Sequence, residues 1–118
     1  MLIEEIIRNY LNDDHLSAPV YLEIPKSAPP EFYVMEKTGG SENNQIDSST
    51  FALQAYAQTM YRAAELANQA AVVMKEGLIT LDQITKVSVQ GPYNFTDTTK
   101  KNYRYQSVCT VTHYSQEV

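Results

Sequence analysis

Leu2, Ile3, Ile6, Ile7, Tyr10 and Leu11 recur at helical spacing around Glu4 and Glu5. The pattern predicts an amphipathic helix over residues 2–11, its acids in the first turn where the helix dipole favours negative charge. Asn12, Asp13 and Asp14 end it, and Pro19 keeps it from continuing past Ala18. Val20, Leu22 and Ile24 then alternate with Tyr21 and Glu23, which reads as a short half-buried strand closed by Pro25. After the irregular link PKSAPP, residues 32–37 form a second strand-like run. TGGSENNQIDSS follows as a polar connection whose one apolar residue is Ile46. From 50 to 58 alternation returns, with Phe51, Leu53, Ala55 and Ala57 on one face and Gln54, Tyr56 and Gln58 mostly on the other. The second and third strands most simply pair as a long-looped hairpin.

Thr59 is placed to cap a long helix that runs to about Glu76 and stops at Gly77, a residue type common just past helix ends. Met60, Ala63, Ala64, Ala67, Ala70, Ala71 and Met74 share one face of it, flanked by Leu66 and Val73. So many alanines let the helix axis approach a sheet closely. Residues 80–82 turn the chain, 84–90 form a fourth strand with Val87 and Val89 on one face, and 103–114 form a longer fifth. The order α-β-β-β-α-β-β predicts an α+β fold. Its mainly antiparallel sheet of about five strands packs against an N-terminal helix and one long Ala-rich helix. At 118 residues the chain fits a single domain, 1–118.

Composition narrows the function classes. Charged residues at 19% and hydrophobic residues at 43% suit a globular chain. Fourteen acids against nine Lys and Arg give a net charge of −5, which argues against a broad phosphate-binding surface. Cys109 is the single cysteine, so no internal disulfide and no Cys-rich zinc site can form from this chain, and a reducing compartment fits. Glu65, Asn68 and Gln69 interrupt the longest apolar helical stretch, so no membrane span is expected, and MLIEEIIRNY carries acids where a signal peptide would carry positive charge. Nine tyrosines and no tryptophan favour surfaces that become buried on association.

The chain offers few groups for chemistry. Cys109 and His113 fall on one face of the fifth strand, but four residues at about 3.3 Å each separate them by roughly 13 Å, too far for a nucleophile and its base. Asp13, Asp14 and His15 are metal-capable types in consecutive positions at a helix end, where side chains diverge. Neither Glu4 and Glu5 nor Glu31 and Glu36 are paired across a cleft by any pattern. TGGSEN lacks the spacing of a phosphate-binding glycine loop. Lys100, Lys101 and Arg104 stand beside Tyr93, Phe95, Tyr103 and Tyr105, a combination that also occurs where single-stranded nucleic acid binds, though a loop base in an acidic protein accounts for it as well. By contrast GPYNFTDTTKKNYRYQ, residues 91–106, is dense in hydroxyls, amides and tyrosine rings that make contacts.

LIEEIIRNYL followed by PVYLEIP, then FYVMEKTGGSENNQIDSSTFALQAYA, AAELANQAAVVM and VQGPYNFTDTTKKNYRYQSVCTVTHY, together resemble the small tail-completion or tail-terminator proteins of long-tailed (siphovirus-type) bacteriophages and prophages. The likeness runs from about residue 2 to 114 and lies in the order and spacing of the pieces. It implies a structural subunit, without enzymatic activity or cofactor, that assembles as a ring with copies of itself, usually a hexamer. The ring sits at the head-proximal end of the tail tube, stops tube growth and joins the tail to the head. The implied partners are the tail tube protein and the head-tail connector protein, with DNA as passing cargo and no membrane. The implied location is the virion tail, reached from the host bacterial cytoplasm during assembly. The matching loops are 38–48 and 91–102. In the first, Gly39, Gly40, Glu42, Asn43 and Asn44 are expected contact residues. In the second they are Tyr93, Asn94, Phe95, Asp97, Thr98, Lys100, Lys101 and, just beyond it, Tyr103. A head-completion or connector protein of the same virion is the nearest alternative, with a small hydrolase using His15 or His113, or a nucleic-acid-binding module, further away.

Overall fold

The computed structural model describes residues 2–13, 15–43, 46–94, 96 and 103–114. Its elements are α1 (Ile3–Leu11), β1 (Val20–Tyr21), β2 (Phe32–Asn43), β3 (Ile46–Ala57), α2 (Met60–Gly77), a 3₁₀ turn (Leu78–Thr80), β4 (Ile84–Asn94) and β5 (Tyr103–Tyr114). The strands form one sheet in the order β1-β2-β3-β5-β4. β1 runs parallel to β2, and every other neighbour pair is antiparallel. The α+β architecture and the helix-strand order are those the sequence predicts.

Alternation decides what each strand buries. Phe51, Leu53, Ala55 and Ala57 of β3 all point into the core, level with Cys109, Ser107, Tyr105 and Tyr103 of β5. Ile3, Ile7 and Leu11 of α1 and Ala63, Leu66, Ala67, Ala70 and Met74 of α2 join the same cluster, so both helices lie on one face of the sheet. Ala64 and Ala71, expected in that face, are half-buried at its margin. The cap of α2 forms as expected, with the Thr59 hydroxyl accepting from the Arg62 N–H at 3.2 Å.

Side chains fasten the layers. Asn12, just past α1, donates from Nδ2 to the Val20 carbonyl at 3.1 Å and accepts from the Val20 N–H at 2.9 Å, so one side-chain amide serves Val20 as a neighbouring strand would. The Arg62 guanidinium grips Glu31 through Nε at 2.6 Å and Nη2 at 3.1 Å, tying the first turn of α2 to the entry of β2.

Four expectations need correction. The first strand stops at Tyr21, and Leu22 and Ile24 leave the sheet and are exposed. The polar connection over 38–48 is largely strand. β2 continues to Asn43 and β3 begins at Ile46, so the hairpin is long-armed and only Asn44 and Gln45, outside the described residues, separate its strands. These polar residues extend because β3 is paired on both sides, to β2 and to β5, from Ile46 to Tyr56. β4 likewise runs past Gln90 to Asn94, through a register shift between Gln90 and Tyr93 where Gly91 takes φ 94°. Finally, Gly77 is the last residue of α2 with φ −95°, so it is no left-handed cap. A Cβ there would run into the Tyr10 ring of α1, and glycine is what lets the two helices meet.

Candidate functional site

Cys109 and His113, the pair first considered as nucleophile and base, are both inside. The Cys109 thiol is buried in the core, and burial pushes its pKa up to about 12. His113 is 2% exposed, its Nε2 2.8 Å from the Ser49 hydroxyl and its Nδ1 3.0 Å from the Tyr114 carbonyl. A proton on Nδ1, facing the carbonyl, makes Nε2 the acceptor of the Ser49 O–H. This is the local geometry of a base and its nucleophile, but Ser49 is also 2% exposed and a substrate carbonyl has no approach to its oxygen in this conformation. Asp47, level with His113 on β3, makes no described bond to the imidazole, and its buried Oδ1 has no hydrogen-bond partner. His15 donates from Nδ1 to the Tyr10 carbonyl at 2.7 Å and stacks on the Tyr10 ring with centroids 4.1 Å apart. Among the described residues no three His, Cys, Asp or Glu side chains gather as a metal site.

The groups that face outward are organised differently. On the sheet face away from the helices, the Arg104 guanidinium donates to the Tyr56 hydroxyl at 3.2 Å, and that hydroxyl donates to Gln54 Oε1 at 2.8 Å. Gln54 Nε2 donates to Gln106 Oε1 at 3.0 Å, and Gln106 Nε2 donates to the Tyr93 hydroxyl. The chain of bonds crosses β3, β5 and β4. It is anchored by aromatics, since Phe32 stacks on Tyr56 with centroids 4.7 Å apart and planes 4° apart, and Tyr21 meets Phe32 edge-on. Beside it the link after β1 forms a groove of about 550 Å³ walled by Ile24, Pro29, Pro30, Phe32, Tyr56 and Tyr103. Thr96 closes the neighbouring end: its hydroxyl accepts from the Arg104 N–H and donates to the Arg104 carbonyl, both at 3.2 Å.

No protein-family model matches this chain, and no curated protein matches it.

The two groups of expected contact residues do not converge. Gly39 and Gly40 lie exposed in β2, level with Thr50 and Ser49, and Glu42 and Asn43 continue that strand. Tyr93 and Asn94 close β4 and Tyr103 opens β5, toward the other end of the sheet and level with Gln106, Tyr105 and Ala57. Asn94 accepts from the Thr96 N–H at 3.0 Å, and Tyr103 is half-buried in the groove wall. Asn44, Phe95, Asp97, Thr98, Lys100 and Lys101 lie outside the described residues. The sequence reading missed Gln54, Tyr56 and Gln106 as a connected surface. Their signal was present: they are the polar positions of two strands whose alternate residues are buried, and the β3–β5 register sets Gln54 directly against Gln106.

Proposed function

We propose that this chain is a structural virion subunit that closes into a ring at the head-proximal end of a phage tail tube, ending tube growth and joining tail to head. The order and spacing of its sequence pieces, which resemble those of tail-terminator proteins, point to this role. The observation that carries the reading is the Arg104–Tyr56–Gln54–Gln106–Tyr93 chain on the helix-free face. Side chains that hold one another in place, from the buried Tyr56 out to the exposed Tyr93, form a contact surface whose ordering cost is met before any partner arrives. Cys109 is instead enclosed in the core, and His113 is enclosed against Ser49. In the proposed ring each subunit contacts a copy of itself on either side, the tail tube protein below and the head connector above, while DNA passes through.

The test is electron microscopy of particles assembled without this chain. Tails of uncontrolled length, or tails without heads, are expected; tails of normal length joined to heads would end the reading.

A further inference from the structure

We infer that the outer edge of β2 receives strand β4 of a second copy in the same orientation, so that the sheet continues from subunit to subunit as an antiparallel ladder. This deepens the ring reading and rests on it for the shared orientation of the copies.

The sheet ends on two different open rims. Among the described residues β4 is the last strand on one side, and its stretch 84–90 forms one rim. At the other, β1 pairs only with Tyr33 and Val34, and residues 35–43 of β2 border no further strand among the described residues. Such rims present rows of unpaired N–H and C=O groups. Strand direction reverses from β2 to β3, from β3 to β5 and from β5 to β4, so β4 runs opposite to β2. Two copies set side by side in one orientation therefore meet β4 to β2 in the antiparallel sense, the more stable pairing. The contact is head-to-tail and leaves a free rim of each kind, as a closing ring requires.

Gly39 marks the place. Glycine weakens a strand and is kept where the backbone needs it or where another chain comes close. Gly39 is exposed, its φ lies outside the left-handed region, and a Cβ built on it meets nothing within 4 Å. The β2–β3 register shifts between Lys37 and Gly39, so glycine eases that irregularity and at the same time leaves an open notch on the outer side of the strand. Gly40 differs, because its Cβ would come 2.8 Å from the Ser48 carbonyl oxygen. The register sets Ser88, Thr110, Thr50 and Gly39 in one row, so a neighbour level with the sheet brings its exposed Ser88 beside this notch. Charge agrees: Lys86 is the sole charged residue of β4, whereas β2 holds Glu36, Lys37 and Glu42, a net single negative charge.

The experiment mixes full-length chains carrying Gly39→Cys with chains carrying Ser88→Cys, and in parallel Lys86→Cys or Gln90→Cys to cover shifts of register, then oxidises at high protein concentration. Cys109, being buried, stays as it is. A disulfide between position 39 and one of these β4 positions is expected, and the Gly39→Cys/Ser88→Cys double variant should give covalent ladders ending at one ring size. No such disulfide at any of the three positions, or Ser88→Cys chains joined to one another through a two-fold β4 contact, overturns the inference. Gln90 and Glu36 share another row and are both exposed, so Gly39→Thr should reduce the cross-link yield of a Glu36→Cys/Gln90→Cys pair at least tenfold; unchanged yield removes Gly39 from the contact. Cross-linked ladders alongside normal tails in the deletion would leave the edge contact standing and end the tail reading. Overlong tails with no cross-link would do the reverse.

Discussion

The Tyr33 hydroxyl donates to the Leu66 carbonyl at 2.7 Å, joining the second strand of the sheet to the middle of the long helix through a fully buried bond. Tyr33→Phe should therefore cost about 1 kcal/mol, the usual net value of such a bond, seen as a lower denaturation midpoint with an unchanged slope. Burial also pushes the Tyr33 phenol above its ordinary value of 10.0. Because the folded state holds that proton more tightly, its contribution is complete below pH 10.0 and is lost as pH rises through the folded value. Phenolate absorbance should show one tyrosine that ionises only with unfolding, and Tyr33→Phe should remove it.

Ser49 and His113 give a second prediction, one of stability. Ser49→Ala leaves a buried imidazole nitrogen without its partner and should cost about 1–3 kcal/mol. A double-mutant cycle with His113→Phe should return a coupling of about 0.5–3 kcal/mol in chemical denaturation. Full additivity would mean that the 2.8 Å contact contributes nothing.

Gly77 should invert the usual effect of glycine replacement. In most helices Gly→Ala gains about 0.5–1 kcal/mol. Here the new methyl would meet Tyr10 Cζ at 2.9 Å, so a loss of about 1–3 kcal/mol is expected from overpacking. Introduced together with Tyr10→Ala, the same Gly77→Ala change should become stabilising, and thermal melts of the four proteins decide the point.

The Arg62 guanidinium, by its hydrogen bond first, holds the Glu31 carboxyl below its ordinary value of 4.5. The folded value is depressed, so the stabilisation is present above pH 4.5 and fades as pH falls through the folded value. Melting temperature against pH should accordingly show a shallower acid limb in Glu31→Gln. Both side chains are about a third exposed, so added salt should shrink the difference.

The parts of the fold that sequence made legible are those where one face of an element is buried. Phe51, Leu53, Ala55 and Ala57 announced β3, and Thr59 announced the start of α2. Where both faces of a strand are polar, the period carries no contrast. Asp47, Ser48 and Ser49 therefore read as loop, although Ser49 is buried against His113. The reverse error came from Leu22 and Ile24, whose alternation is that of a strand while Ile24 in fact walls the groove. The candidate surface was half visible: Gln54 and Tyr56 could be assigned to the face away from the core. That Gln54 bonds Gln106 depends on the register of residues 52 positions apart in the chain.

Asn12 gives the first helix a chemical weak point. Hydrolysis of its amide to a carboxylate would keep an acceptor for the Val20 N–H but set an oxygen against the Val20 carbonyl where a donor stood. Ageing of this one side chain would thus loosen the hinge between α1 and the first strand while the sheet itself stays intact.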